Sequence, residues 1–157
     1  MYEIVDVTGY TGGECYLILS AKSAVLCDTG YGFCSDSTVN HIQKALGERP
    51  LDLVLFTHSH YDHVMGSHAV RQRFPMSKTV CSKHAARIFA RENAWALMSK
   101  LDAGAAKDAG FSVVSLSAPP TADLVLADGE QVQTADMTIR AVSTPGHTQC
   151  SMSYLFL

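Results

Sequence analysis

Leu51-Asp52-Leu53-Val54-Leu55-Phe56-Thr57-His58-Ser59-His60-Tyr61-Asp62-His63 runs an apolar segment straight into three imidazoles and a carboxylate. The segment 51–56 reads as a buried strand: it is short, rich in Leu and Val, and ends at a polar residue. Packed this closely, His58, His60, Asp62 and His63 would repel and desolvate one another unless something bound them in common. A metal ion does that, and a rigid strand with ligands at its end is a way to hold a site in advance. His58 and His60 lie two apart in extended chain, so both can point to one side. Asp62 keeps that parity, and His63 is expected to swing aside at the start of a turn or helix. This reading gives two neighbouring coordination centres. A structural zinc site is closed by four ligands, commonly cysteines; nitrogen and oxygen ligands suit an open, hydrolytic centre better.

Upstream of this segment the chain reads as β structure. Residues 3–7, 15–19 and 24–27 are short β-rich runs separated by turns at Gly9, Gly12-Gly13 and 21–23. Asp28-Thr29-Gly30 opens a loop, and a helix is expected from Asp36 or Ser37 to Leu46, with Gly47 after it. Downstream, one helix is expected over 62–74, stopped by Pro75, then a strand over 79–82. A second helix is expected over 83–101, with Ala90, Ala94, Leu97, Met98 and Leu101 on its apolar face. No element is assigned to 103–120. Residues 131–134 and 137–142 read as a hairpin, and 152–157 as a last strand. Alternating strands and helices between β-rich ends give an α/β layered domain.

The 157 residues suffice for one domain with a core, and 47% apolar with 17% charged content is that of a globular chain. The net charge of −3 and a pI near 6.1, with no Lys/Arg stripe to track a phosphate backbone, argue against a nucleic-acid partner. Five widely spaced cysteines without a C-x-x-C pair argue against a disulfide framework and fit a reducing, cytoplasmic location. The N-terminus lacks the pattern of a signal peptide, and no apolar run reaches membrane-spanning length.

Ser143-Thr144-Pro145-Gly146-His147-Thr148 is a second histidine loop after a strand-like run. Pro145 and Gly146 can fix a sharp turn that presents His147, making it the natural third nitrogen for the His58/His60 centre. Thr-His-x-His-x-Asp-His at 57–63, Asp28-Thr29-Gly30 before it and Thr144-Pro-Gly-His-Thr148 after it resemble the metallo-β-lactamase superfamily. The hydrolase branch, including enzymes of the hydroxyacylglutathione hydrolase type, is more similar than the diiron branch, which carries a Glu where this chain has His60. The resemblance implies an αβ/βα sandwich, mainly its N-terminal half here, with a dinuclear metal site that usually holds zinc. His58, His60 and His147 would bind the first metal, and Asp62 and His63 the second. Asp62 would also be the catalytic carboxylate, and Asp28 would stand behind the ligands and orient an imidazole.

The family's second half supplies an Asp that bridges both metals and a last His on the second. Neither has a counterpart before Leu157, so residues 1–157 are expected to form a single domain incomplete at its C-terminus. Two Zn2+ per complete site become one or none in this chain, and Fe or Mn are alternatives. The leading expectation is a hydrolase that uses metal-activated water on an ester, thioester, lactone or amide of a small-molecule substrate. Two competitors are a catalytically incomplete metal-binding domain, completed by a second copy through an open strand edge, and a mononuclear iron dioxygenase on the same scaffold. Met65 stands where relatives often have a first glycine of a pair, and Cys150 where they often have Gly. The thiol is expected to pack rather than react. The helix around Phe89 and Trp95 is expected to face the core rather than wall a pocket.

Overall fold

The computed structural model describes residues 1–114 and 118–157. A six-stranded sheet runs in spatial order β1 (Glu3–Asp6), β2 (Tyr16–Leu19), β3 (Ala24–Cys27), β4 (Leu53–Leu55), β5 (Lys78–Ser82) and β6 (Leu124–Leu126). The first three strands pair antiparallel, and β3 to β6 are parallel. Parallel strands need crossovers. These are α1 (Ser35–Leu46), then α2 (Tyr61–Val64) and α3 (Ser67–Arg73), then α4 (Lys83–Phe89) and α5 (Glu92–Asp108). A second sheet holds β7 (Gln131–Gln133), β8 (Thr138–Ser143) and β9 (Met152–Phe156), all antiparallel.

Strand alternation sorts the core into two layers. Leu17, Leu26, Val54, Phe56 and Cys81 face the helices, where Ile42, Val70, Phe89 and Met98 meet them. Ile18, Val25, Leu53, Leu55 and Val80 face the second sheet and meet Met137 and Ile139. The central strands are apolar on every residue because both faces are covered. Each such side chain, fully buried, contributes about 1.5–3 kcal/mol.

Four sequence expectations need correction. The helix over 62–74 is two helices, broken at Met65-Gly66. Gly66 abuts the chain at Thr29: a Cβ on it would lie 2.1 Å from the Thr29 carbonyl oxygen. The helix over 83–101 also breaks, at Ala90-Arg91, and its second part continues to Asp108 through a stretch left without an element. Leu97 and Leu101 are 56% and 43% exposed, whereas Met98, Asp102 and Ala106 form the buried row of α5. β6 (Leu124–Leu126) is a strand where none was expected; of the stretch 103–120, residues 115–117 lie outside the described residues. Phe89 does lie in the core, edge-on to Phe56 at 5.6 Å.

Asp102 explains why a carboxylate occupies a buried helix position. Its Oδ1 accepts the Gly32 amide at 2.7 Å, tying α5 to the loop that follows Asp28. Burial raises its pKa, and the Gly32 and Phe33 amides only partly offset this. The raised folded-state pKa means that the native state holds a proton the unfolded chain releases above about pH 4. Stability contributed by this group is therefore greatest at low pH and is lost as pH rises through the folded pKa. Asp102→Asn keeps an acceptor for Gly32 and cannot titrate. Urea denaturation between pH 4 and 7 should show the parent losing stability relative to this variant as pH rises; parallel curves would contradict the assignment.

Candidate metal centre

The candidate residues collect at the carboxyl ends of β3, β4 and β8, outside the edge where open α/β sheets place their ligands. Cys27 leads into Asp28, Leu55 into the 57–63 loop, and Ser143 into the turn that carries His147. The Met152 amide donates to the Thr57 carbonyl at 2.8 Å, and the Tyr154 hydroxyl to the Phe56 carbonyl at 2.9 Å. These bonds fix the second sheet, and with it the His147 loop, against the end of β4.

Ligand-capable atoms of His58, His60 and His147 lie within 4.8 Å of one another. Their rings stand 4.7 Å (58 to 60), 5.1 Å (58 to 147) and 4.7 Å (60 to 147) apart between centroids. His60 Nδ1 faces His147 Nε2 at 3.1 Å. Two imidazole lone pairs do not approach so closely without a shared proton or cation.

A hydrogen-bond chain assigns the His58 tautomer. The Thr57 hydroxyl is 2.6 Å from Asp28 Oδ2 and 2.9 Å from His58 Nδ1. The carboxylate can only accept, so Thr57 donates to it and accepts from Nδ1–H. His58 Nε2 is then a bare lone pair, and it is buried with no hydrogen-bond partner. Leaving such an atom unpaired costs about 1–3 kcal/mol, and a cation held with His60 and His147 would satisfy it. Burial and the neighbouring His63 lower the His58 pKa to about 4, and burial with His147 lowers that of His60. Neutral imidazole is the ligand form. The donor set thus fits a divalent ion.

Asp28 sits at φ 59, the one non-glycine residue with positive φ among those described. Backbone strain of this kind persists only when the surroundings hold it in place. Here the Asp28 amide donates to Leu55 O at 2.9 Å and the Thr29 amide to His63 O at 2.8 Å. The carboxylate accepts the Thr57 amide at 2.8 Å and His63 Nδ1 at 2.9 Å. Desolvation alone would lower the His63 pKa, but the Asp28 hydrogen bond and charge outweigh it and raise the pKa. Asp28, His58 and His63 also converge within 4.8 Å. With three donors already on its oxygens, Asp28 reads as the support of His58 and His63, leaving both Nε2 atoms outward.

Asp62 corrects the parity reading: it sits in the first turn of α2 beside His63, not in extended chain. Its Oδ2 is 3.6 Å from His63 Nε2, and no three-residue cluster among the described residues includes it. The second pair is thus adjacent but open. The Cys150 thiol is buried behind the loop, donating to Ser59 Oγ at 3.2 Å. His41 and His84 lie in α1 and α4 as ordinary helix residues, and His68 in α3. Sequence reasoning missed Thr57, whose role depends on Asp28, 29 positions away.

A layered α/β scaffold with such a histidine-rich edge defines a class of metallohydrolase folds. The profile of the Metallo-beta-lactamase superfamily matches residues 8–156, and the chain belongs to that superfamily. The chain is 31% identical over 147 residues to the lactamase-like protein aptB of Emericella nidulans, covering 92% of this chain and 36% of that protein. It is 33% identical over 113 residues to the hydroxyacylglutathione hydrolase of Acidiphilium cryptum, covering 72% of this chain and 33% of that protein. The solved structure of a beta-lactamase from Chitinophaga pinensis superimposes with a TM-score of 0.66 at 30% identity, covering 91% of this chain and 50% of that one. The chain therefore spans about a third of the length of the curated relatives it matches. No helix among the described residues is long and apolar enough to cross a membrane.

Proposed function

We propose that the chain carries the first metal centre of a hydrolase acting on a small-molecule thioester or ester, with His58, His60 and His147 holding one divalent ion, best assigned as zinc. The observation that carries this reading is the buried, unpartnered Nε2 of His58, gathered with nitrogens of two histidines from separate stretches of chain. Three nitrogen donors without a thiolate match an open zinc site. Asp62 and His63 would hold a second ion. The likeness to a hydroxyacylglutathione hydrolase supports an acyl thioester as the substrate class.

When bound, the ion would acidify water and polarise the acyl oxygen. The chain's own groups supply the rest. Asp28, through Thr57 and directly to His63 Nδ1, fixes two imidazole tautomers before any ligand arrives. Asp62, partly exposed beside His63, accepts the proton of the water that attacks the acyl carbon. The carbon–sulfur bond then breaks as the carbonyl re-forms, and the departing thiolate takes up the proton held by Asp62 to leave as the thiol.

The test is turnover of an S-acylglutathione by the zinc-loaded 157-residue chain, with metal content measured alongside. Hydrolysis that is lost on chelation and restored by zinc is the expected result. Bound zinc without turnover of any ester or thioester would contradict the hydrolase reading in favour of an incomplete metal-binding domain. Oxygen uptake by an iron-loaded form would replace it with a dioxygenase.

A further inference from the structure

The acidic net charge conceals one local concentration of positive charge. From Lys83 to Arg91 the chain carries Lys83, His84, Arg87 and Arg91 and no acid. The four-residue spacing of Lys83 and Arg87 puts both on one side of α4, and Arg91 continues their row at the junction with α5. Lys83, His84, Arg87 and Arg91 are exposed, and among the described residues Lys83, Arg87 and Arg91 enter no ion pair. Clustered cations left without internal partners raise a local positive potential that attracts anions.

This ridge is fixed beside the candidate metal centre. Ser82 caps α4, its Oγ accepting the Ala85 amide at 3.1 Å, and the same hydroxyl donates to the Cys150 carbonyl at 2.9 Å. The start of the basic helix is thereby tied to the loop that carries His147. Between helix and loop lies a groove of about 310 Å³ lined by His84, Arg87, Ile88, Arg91, Thr148 and Gln149. Its lining begins one residue from His147. A second hollow of about 180 Å³ shares His84, Gln149 and Cys150 with it and adds Lys83 together with Asp128, whose carboxylate accepts the Ser143 amide at 2.8 Å. The volume suits part of a small molecule, and guanidinium groups suit carboxylates.

We propose that this groove binds the carboxylates of the substrate's leaving group and so selects anionic thiols over neutral ones. The proposal rests on the thioester reading above for its biological meaning, but binding can be measured without turnover. S-hexylglutathione carries two carboxylates and no cleavable thioester; S-hexyl-N-acetylcysteamine has the same thioether and no charge. In calorimetry with backbone amide shift mapping, the metal-free full chain should bind S-hexylglutathione saturably, with shifts at 84–91 and 148–150. Binding should weaken as salt rises. R87E/R91E should weaken it by about tenfold or more, since exposed charge pairs contribute about 0.2–1 kcal/mol each and reversal adds repulsion. N-Acetylcysteamine thioether binding should not change, and zinc uptake by the variant should equal that of the parent, showing an intact fold.

No saturable binding of S-hexylglutathione, or binding that R87E/R91E leaves unaltered, would overturn the proposal. Shifts at 84–91 produced by an acidic carrier protein but not by S-hexylglutathione would overturn it in favour of a macromolecular partner. Failure of the hydrolase reading would show separately, as absent turnover of both charged and neutral thioesters by a protein that still binds S-hexylglutathione in the groove.

Discussion

His58→Ala should abolish metal uptake at the first centre while leaving the metal-free fold at least as stable as the parent. The two effects diverge because His58 sits in the protein for a ligand it lacks in the apo state. Its Nε2 is buried with no partner, so the imidazole is a cost to the metal-free protein. Only Nδ1 is engaged, by Thr57 at 2.9 Å. The loss in zinc affinity should exceed the about 10–100-fold that follows removal of a ligand's supporting partner. Equilibrium dialysis against zinc and urea denaturation of the apoprotein measure the two sides. A structural histidine would behave in the opposite sense, with stability falling and zinc content unchanged.

Gly66→Ala should be the most damaging single methyl group that can be added near the site. The new Cβ would lie 2.1 Å from the Thr29 carbonyl oxygen and 3.1 Å from its carbon, both backbone atoms. No side-chain rotation relieves that contact, so the 28–30 loop and the start of α3 must move apart. They are otherwise held by the Gly66 amide on Gly30 O at 3.0 Å and the Thr29 amide on His63 O at 2.8 Å. Overpacking that forces backbone shifts costs about 1–3 kcal/mol, and occasionally more. The same movement would pull Asp28 from His63 Nδ1, so zinc uptake should weaken in whatever fraction stays folded. A urea midpoint near the parent's would show that the two segments are not in the close register described.

The sequence made the site far more legible than its surroundings. The ligands in 57–63 announce themselves because their spacing is local and their chemistry rare, and the Pro-Gly turn before His147 follows the same logic. What could not be read was whatever depends on distant chain. Thr57 links His58 to Asp28 only because β3 and β4 are parallel neighbours. The chain breaks its helix at Gly66, where only a residue without Cβ fits against Thr29, a contact that the local pattern of 62–74 does not announce. Strand β6 has three residues, and its pairing with β5 defines it more than its own pattern does. Along α5 the buried row includes Asp102, so the apolar period points to Leu97 and Leu101, which face outward. The strands β2 to β4 were readable because each is a short apolar run, and β1 and β5 because each is a short β-rich run bounded by turn or polar residues. The edge position of Asp62 was not, since its helix starts only after His60.

The convergence of imidazoles from residues 58, 60 and 147 on one ion is tested most directly by X-ray absorption at the zinc edge on the loaded chain and its His147→Ala variant. The expected spectrum of the parent shows imidazole nitrogens at about 2.0–2.1 Å, no sulfur at about 2.3 Å, and one imidazole fewer in the variant. A sulfur scatterer, or a spectrum that His147→Ala leaves unchanged, would contradict it.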